Sequence, residues 1–280
     1  MSGSQTRAAP RRLPPTESEL LFFLHVPKTA GISLTAILDA NFTPGAILAA
    51  SDWTKAGEVI EGVKGMSAVE RARVRCVCGH YWVGPGDGAV YDHFSVDPIV
   101  LTVLRDPVAR TASAHQHVMR WPEHWLREKI GIGEEGTMSL HDFVEHPGAQ
   151  GEIANLQTRL VVGAVPGNPL LGDSDPEKAV PFTDEELLEL AKQRLDSFAW
   201  VGLTERMEES VGLLTARMGW ATVEELPNLN FNPVPSAEVE LAPKTRAAIL
   251  ERTALDAELY AYAAERLERE LAEGAREVAG

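Results

Sequence analysis

Glu19-Leu20-Leu21-Phe22-Phe23-Leu24-His25-Val26-Pro27-Lys28-Thr29-Ala30-Gly31-Ile32-Ser33-Leu34 is the stretch on which the reading of this chain turns. Its first eight residues form an apolar run of the size a parallel strand needs when both its faces are covered. Pro27 ends the run, a short loop follows, and Leu34 to Ala40 has helical character. Strand, tight loop and helix in that order make an anion site. The first N–H groups of a helix lack partners within the helix, and the helix dipole adds positive potential there. Lys28 adds a full charge, Thr29 and Ser33 add hydroxyls, and Gly31 permits close backbone approach. The order is not the G-x-x-x-x-G-K-[ST] of nucleoside triphosphate loops, because the lysine precedes the glycine. The competing reading is an ordinary strand-to-helix turn with a surface lysine.

Outward from this unit, the pattern repeats. Val74 to Cys78 predicts a second strand, Pro98 to Leu104 a third and Phe198 to Leu203 a fourth. Helices are predicted from Val108 to about Met119, with Pro107 in the first turn, and from Ile153 to Val162. A capping box at Thr183 and Glu186 opens another, to about Arg194. Further helices are predicted over Met207–Met218 and, as one long amphipathic element, over Pro243–Glu273. Residues 43–70 show no decisive period. Strands alternating with helices predict an α/β three-layer sandwich, with a mainly parallel central sheet and helices on both faces. Residues 19–273 are expected to form a single domain with an insertion around 115–150, and residues 1–18 a flexible tail.

Composition narrows the function classes. Hydrophobic residues are 44% and charged residues 24% of 280, enough for a core and too apolar for wholesale disorder. No apolar run reaches the about 18 residues of a membrane span. The polar, proline-containing start lacks the apolar region of a secretory leader. Net charge is −15, distributed unevenly. Residues 1–130 carry 14 Lys/Arg against 13 Asp/Glu, and residues 131–280 carry 12 against 28. Without long basic tracts, a nucleic-acid polymer is excluded as a partner. A small anion, which needs a few local cations, fits the first half. Cys76 and Cys78 lack metal-site spacing and read as two buried thiols on a strand, in keeping with a reducing cytoplasm.

A second segment, Leu104-Arg105-Asp106-Pro107-Val108-Ala109-Arg110-Thr111-Ala112-Ser113, follows the third strand. Arg105 at a strand end can fork two N–H donors onto a phosphate, and Arg110 is placed to pair with Asp106. Residues 25–34 resemble the phosphosulfate loop of the sulfotransferase superfamily, and residues 104–113 its 3′-phosphate motif, R-D-P-x-x-R-x-x-S. The two occur in the family's order, 77 residues apart from Lys28 to Arg105. The resemblance is nearest the heparan sulfate 2-O- and 6-O-sulfotransferase-like branch with its bacterial relatives, which usually has Thr where this chain has Ile32. It implies a P-loop-like version of the three-layer sandwich, and sulfuryl transfer from 3′-phosphoadenosine 5′-phosphosulfate to a hydroxyl of a saccharide or other small acceptor, with no metal. Lys28, Thr29, Ala30, Gly31, Ile32 and Ser33 would hold the phosphosulfate, and Arg105 and Ser113 the 3′-phosphate. Cys78-Gly79-His80-Tyr81 resembles the place of the family's catalytic histidine, which makes His80 the base and Lys28 its catalytic companion. Weaker echoes lie at residues 155–159, 201–205, 229–233 and 254–260. The competing reading of His80 is a histidine that caps a strand end.

The remaining histidines and tryptophans are read more plainly. His25 is expected to be structural, and His115 to border the site. His117 is read as pointing elsewhere on its helix, and His93, His124, His141 and His146 as surface or loop residues. Trp82, Trp121 and Trp125 either stack on a flat acceptor or pack a core or lid. Two rival functions stay open: a P-loop-type small-molecule kinase, which needs Mg2+ and a nucleoside triphosphate, and a non-catalytic nucleotide-binding protein.

Overall fold

A computed structural model describes residues 19–43, 45–50, 53–80, 90–94, 96, 98–163, 182–220 and 241–279. Five strands form one sheet: β1 (Leu20–Leu24), β2 (Ile47–Ala50), β3 (Cys76–Gly79), β4 (Pro98–Leu104) and β5 (Trp200–Leu203). Their spatial order is β2-β3-β1-β4-β5, and every pairing is parallel. The strand read from the opening stretch is thus the central one. All five of its side chains are buried, because helices cover both faces. Leu21 and Phe23 pack toward α1 (Gly31–Asn41) and α10 (Met207–Met218). Leu20, Phe22 and Leu24 join the opposite cluster, with α2 (Trp53–Gly65), α8 (Leu156–Val162), α9 (Asp184–Ser197) and α12 (Ala254–Ala279). Burying such side chains stabilises by ~1.5–3 kcal/mol each. The architecture is the α/β three-layer sandwich expected from the alternation.

The chain runs from β1 to one edge of the sheet, returns through α2 and α3 (Ala68–Arg73) to β3, and then crosses to β4 and β5 on the other side of β1. Ligand crevices of open parallel sheets lie at the carboxyl ends of strands where this direction reverses. Lys28, His80 and Arg105 all follow the ends of the three central strands. β2, α2 and α3 occupy the region that periodicity left unassigned. β2 is a four-residue edge strand rich in alanine, hydrogen-bonded to β3 alone, and so carries little pattern. α3 did carry a legible signal, the capping box of Ser67 and Glu70.

Cys76 and Cys78 are buried free thiols on β3, as read. Pro107 opens α4 (Pro107–Arg120) and Asp106 caps it. Beyond α4 come α5 (Trp125–Lys129), α6 (Leu140–Glu145) and α7 (Gln150–Ile153), packed with Ala248 and Ile249 of α11 (Pro243–Arg252) around Phe143 and Leu126. The tail at 1–18, Trp82, and the 229–233 echo lie outside the described residues.

Two predicted helices are each broken in two, at one shared junction. The helix expected over 153–162 breaks at Asn155, in the left-handed region with φ 46°. The one expected over 243–273 breaks at Thr253, whose backbone leaves helical values. Each break caps the other. Asn155 Oδ1 accepts from the N–H groups of Leu255 and Asp256, at 3.0 and 3.4 Å. Asp256 accepts from the N–H groups of Gln157 and Thr158, at 3.2 and 2.8 Å, and from the Thr158 hydroxyl at 2.8 Å. Asp256 is fully buried. Residues 98 to 101 positions apart thus satisfy each other's helix starts, which local periodicity does not register.

Asp256→Ala is expected to cost ~3 kcal/mol or more in urea unfolding, since it strands buried donors at ~1–3 kcal/mol each. Asn155→Ala should cost ~1 kcal/mol, the ordinary loss of a cap. An Asp256→Ala protein as stable as Asn155→Ala would show that the junction is not held by this carboxylate.

Candidate functional site

The loop leaving β1 is bent by two non-glycine residues in the left-handed region, Lys28 (φ 69°) and Ala30 (φ 61°). Such conformations cost of order 1–3 kcal/mol each and persist where neighbours over-determine them. Three bonds do so. The Thr29 hydroxyl donates to the Val26 carbonyl at 2.8 Å, Ser33 N–H donates to the Ala30 carbonyl at 3.0 Å, and Arg105 Nη1 donates to the Lys28 carbonyl at 3.0 Å. The Thr29 hydroxyl therefore faces inward, as does the N–H of Ser33. Ala30 stands at the start of α1, which has no side-chain cap.

Gly31 is required by a neighbour rather than by a left-handed turn. A Cβ there would lie 2.0 Å from Cδ2 of His25. His25 fills this space, stacked on Phe23 with centroids 5.6 Å apart. Burial, then His80 and Lys28, hold its imidazole well below the usual range, so it is neutral. The structural reading of His25 stands. Its ring also meets that of His80, centroids 4.5 Å apart and tilted 47°. His80 is aimed there by Gly79, whose φ of 145° and 2.3 Å approach of a would-be Cβ to the Ala50 carbonyl exclude other residues.

Arg105 is fixed from behind. The buried carboxamide of Gln157 accepts from Arg105 N–H at 2.9 Å and donates to the Arg105 carbonyl at 2.8 Å. Glu205 accepts from Asp106 N–H at 3.2 Å, lies 3.8 Å from Arg105 Nε, and accepts from the Tyr260 hydroxyl at 2.9 Å. Gln157 and Glu205 thus position the arginine through its backbone and its head. Both sit in segments noted among the weaker echoes of the family, residues 155–159 as a helix bordering the acceptor site, and neither residue is singled out there.

Arg110 does not pair with Asp106. It is fully buried and donates to the Glu152 carbonyl at 2.7 Å, while Asp106 Oδ1 accepts from Ala109 N–H. A carboxylate at a helix start serves the orphan N–H groups better than a side chain four residues on. His115 is likewise turned away: its Nε2 lies 2.7 Å from the Met138 carbonyl and its ring packs on Phe143. Ser113 is partly buried on α4.

The charges converge on Lys28. Its ammonium is lowered to about 8, first by burial, then by Arg105, with Arg120 and Arg110 adding to the effect and Glu152 opposing it. A lysine depressed by neighbouring cations marks a pocket of positive potential. His117, read from sequence as pointing elsewhere on its helix, and His124, read as a surface or loop residue, belong to this field. His117 is lowered to about 4 by burial and by Lys28, His124, Arg120 and His80. Burial and Lys28 also lower His124. The signal for His117 was its place one turn beyond Ser113 on α4. His124 had none, because it lies past the end of that helix. The arrangement can hold an anion against Lys28 and Arg105 and present neutral imidazoles beside it.

No protein-family model matches the chain. No curated protein matches it either. Among solved structures it is similar to the crystal structure of a sulfotransferase from Alicyclobacillus acidocaldarius, with 18% identity, 89% of this chain and 96% of that chain covered, and a TM-score of 0.44.

Gly31→Ala is expected to displace the His25 ring and, with it, the Lys28 loop, lowering the melting temperature. The double variant Gly31→Ala/His25→Ala should recover much of that loss, because the clash is between these two residues. Additive losses in the double-mutant cycle would refute the coupling.

Proposed function

We propose that the chain is a sulfotransferase. It moves a sulfuryl group from 3′-phosphoadenosine 5′-phosphosulfate to a hydroxyl of a saccharide or other small-molecule acceptor. The observation that carries this reading is the hydrogen bond from Arg105 to the Lys28 carbonyl. Through it the two segments resembling the donor-binding motifs meet at the carboxyl ends of adjacent strands, with His80 at the end of the third. The charges suit the donor: Lys28, depressed by burial and by cations, is relieved by a bound anion.

In this reading Lys28, the backbone of Thr29, Ala30, Gly31 and Ile32, and the Ser33 hydroxyl hold the phosphosulfate. Lys28 meets the charge that grows on the leaving phosphate oxygen. Thr29 contributes backbone, since its hydroxyl is bonded to Val26. Arg105 and Ser113 take the 3′-phosphate, and the Gln157 clamp holds Arg105 for it. His80 removes the proton from the acceptor hydroxyl as its oxygen bonds to sulfur and the bridging S–O bond breaks. The buried free thiols suit a reducing cytoplasm.

Calorimetry with 3′-phosphoadenosine 5′-phosphate, without metal, tests donor binding. Arg105→Ala should weaken that ligand by roughly ten- to a hundredfold and leave adenosine 5′-phosphosulfate almost unchanged. Equal weakening of both would remove the 3′-phosphate assignment, and binding of ATP with Mg2+ alone would favour a kinase. With the donor saturating, His80→Ala should slow single-turnover transfer by ~10²–10⁴. A variant within about threefold of wild type would pass the role of base to another imidazole, His117 first.

A pH dependence follows from Lys28. Affinity for 3′-phosphoadenosine 5′-phosphate should be level at lower pH and fall as pH rises through about 8, where the free lysine loses its proton. Because a bound anion favours the ammonium, binding near pH 8 should take up protons, read as a buffer-dependent enthalpy. Lys28→Met should abolish both effects. Proton uptake that survives in that variant would mean another group titrates.

A further inference from the structure

Four aromatic rings form a chain of contacts from the end of α4, through the turn after it, to the start of α5. His117 lies 6.3 Å from Trp121 and 5.3 Å from His124, the latter edge-on at 90°, and His124 stacks on Trp125 at 5.8 Å and 27°. Both tryptophans are half exposed, Trp121 at 50% and Trp125 at 48%. Exposed large aromatic residues gathered in one short segment are a feature of binding surfaces.

The turn is braced from beneath. Trp121 N–H donates to the His117 carbonyl at 3.2 Å, and His124 N–H to the Trp121 carbonyl at 3.0 Å. Under them Arg127, 2% exposed, donates to the carbonyls of Val118, Met119, Gly133, Glu134 and Gly136. Burying a guanidinium is costly unless it is well bonded, so this support holds the rings in one place. His124 Nδ1 accepts from Leu126 N–H at 3.2 Å, which puts the neutral ring's proton on Nε2 as a donor. The charge of Lys28 acts on His117 and His124, and His80 acts on His117, which puts the shelf within electrostatic range of the candidate site.

We propose that Trp121, Trp125, His117 and His124 form the acceptor subsite, and that the acceptor is a ring-bearing alcohol, one whose flat apolar face stacks on the tryptophans while its hydroxyls meet the imidazoles. This rests on the sulfuryl-transfer reading above. The ring face is common to pyranoses and aryl alcohols. The observations favour a rigid ring over a flexible alkyl chain, because two fixed indole faces reward a flat partner.

The test uses three probes: 2-naphthol, methyl β-glucopyranoside and 1-octanol. Saturation-transfer NMR on the full chain, with 3′-phosphoadenosine 5′-phosphate present, detects binding without turnover. Signals on the ring protons of naphthol, of the glucoside, or of both are expected, and whichever responds names the source. Trp121→Ala and Trp125→Ala, both at exposed positions, should weaken that probe by about threefold to tenfold each. Calorimetric affinity for 3′-phosphoadenosine 5′-phosphate should stay at the wild-type value. In turnover, KM for the ring alcohol should rise while kcat changes little, and Trp→Phe should restore most of the loss for the aryl probe. The proposal is overturned if neither ring probe binds, if octanol binds as well as they do, or if the alanine variants bind the rings like wild type. Failure of nucleotide binding with intact, tryptophan-dependent ring binding would count against the donor reading and leave the shelf standing.

Discussion

The hydrogen bond from the Arg105 guanidinium to the carbonyl of Lys28 closes a loop that its own residues do not favour. Lys28 and Ala30 lie where side chains crowd the backbone, and an unsupported loop would relax out of that bend. The support is a chain of contacts through the fold. Asp256 on α12 holds the start of α8, Gln157 on α8 grips the backbone of Arg105, and Arg105 holds Lys28. Elements near the end of the chain therefore set the shape of a loop near its beginning. This is how a sheet edge becomes a site: the strands bring the residues to one place, and buried polar bonds fix how they point.

The same polar scaffold explains the local electrostatics. A chain of net charge −15 holds a cluster of cations at the carboxyl ends of its central strands. The excess acid sits in the later half of the sequence, much of it on helices such as α9, where the side chains face solvent and are screened. Lys28, Arg105 and Arg110 are removed from water and feel one another instead. Arg110, which borders this cluster from the buried side, donates one N–H to a backbone carbonyl rather than to the neighbouring aspartate. Total charge thus says little about such a site. What counts is which charges share the same desolvated volume.

The aromatic shelf shows a second use of a buried arginine. Arg127 gathers the carbonyls of a glycine-containing loop beneath the α4–α5 turn and lets the surface above it keep exposed rings in place. An exposed tryptophan on a soft loop would fold back onto the protein. One held by a bonded framework remains available to a ligand.

Strand β4 and the starts of α4 and α9 were readable from the chain itself, because an apolar run, a proline in the first turn and a capping box act within a few residues. The parallel α/β class followed, as did the identity of Lys28 and Arg105 as the cations at strand ends. The tertiary structure decided what those residues touch. It broke two helices at Asn155 and Thr253 because the pieces cap one another across 98 or more positions, and it turned Arg110 and His115 inward. It also gave Gly31 its reason in His25, and brought His117 and His124 into the field of Lys28. Periodicity reports which face of an element is covered by apolar neighbours. Polar contacts between distant segments depend on how the elements dock, and only the folded chain contains that information.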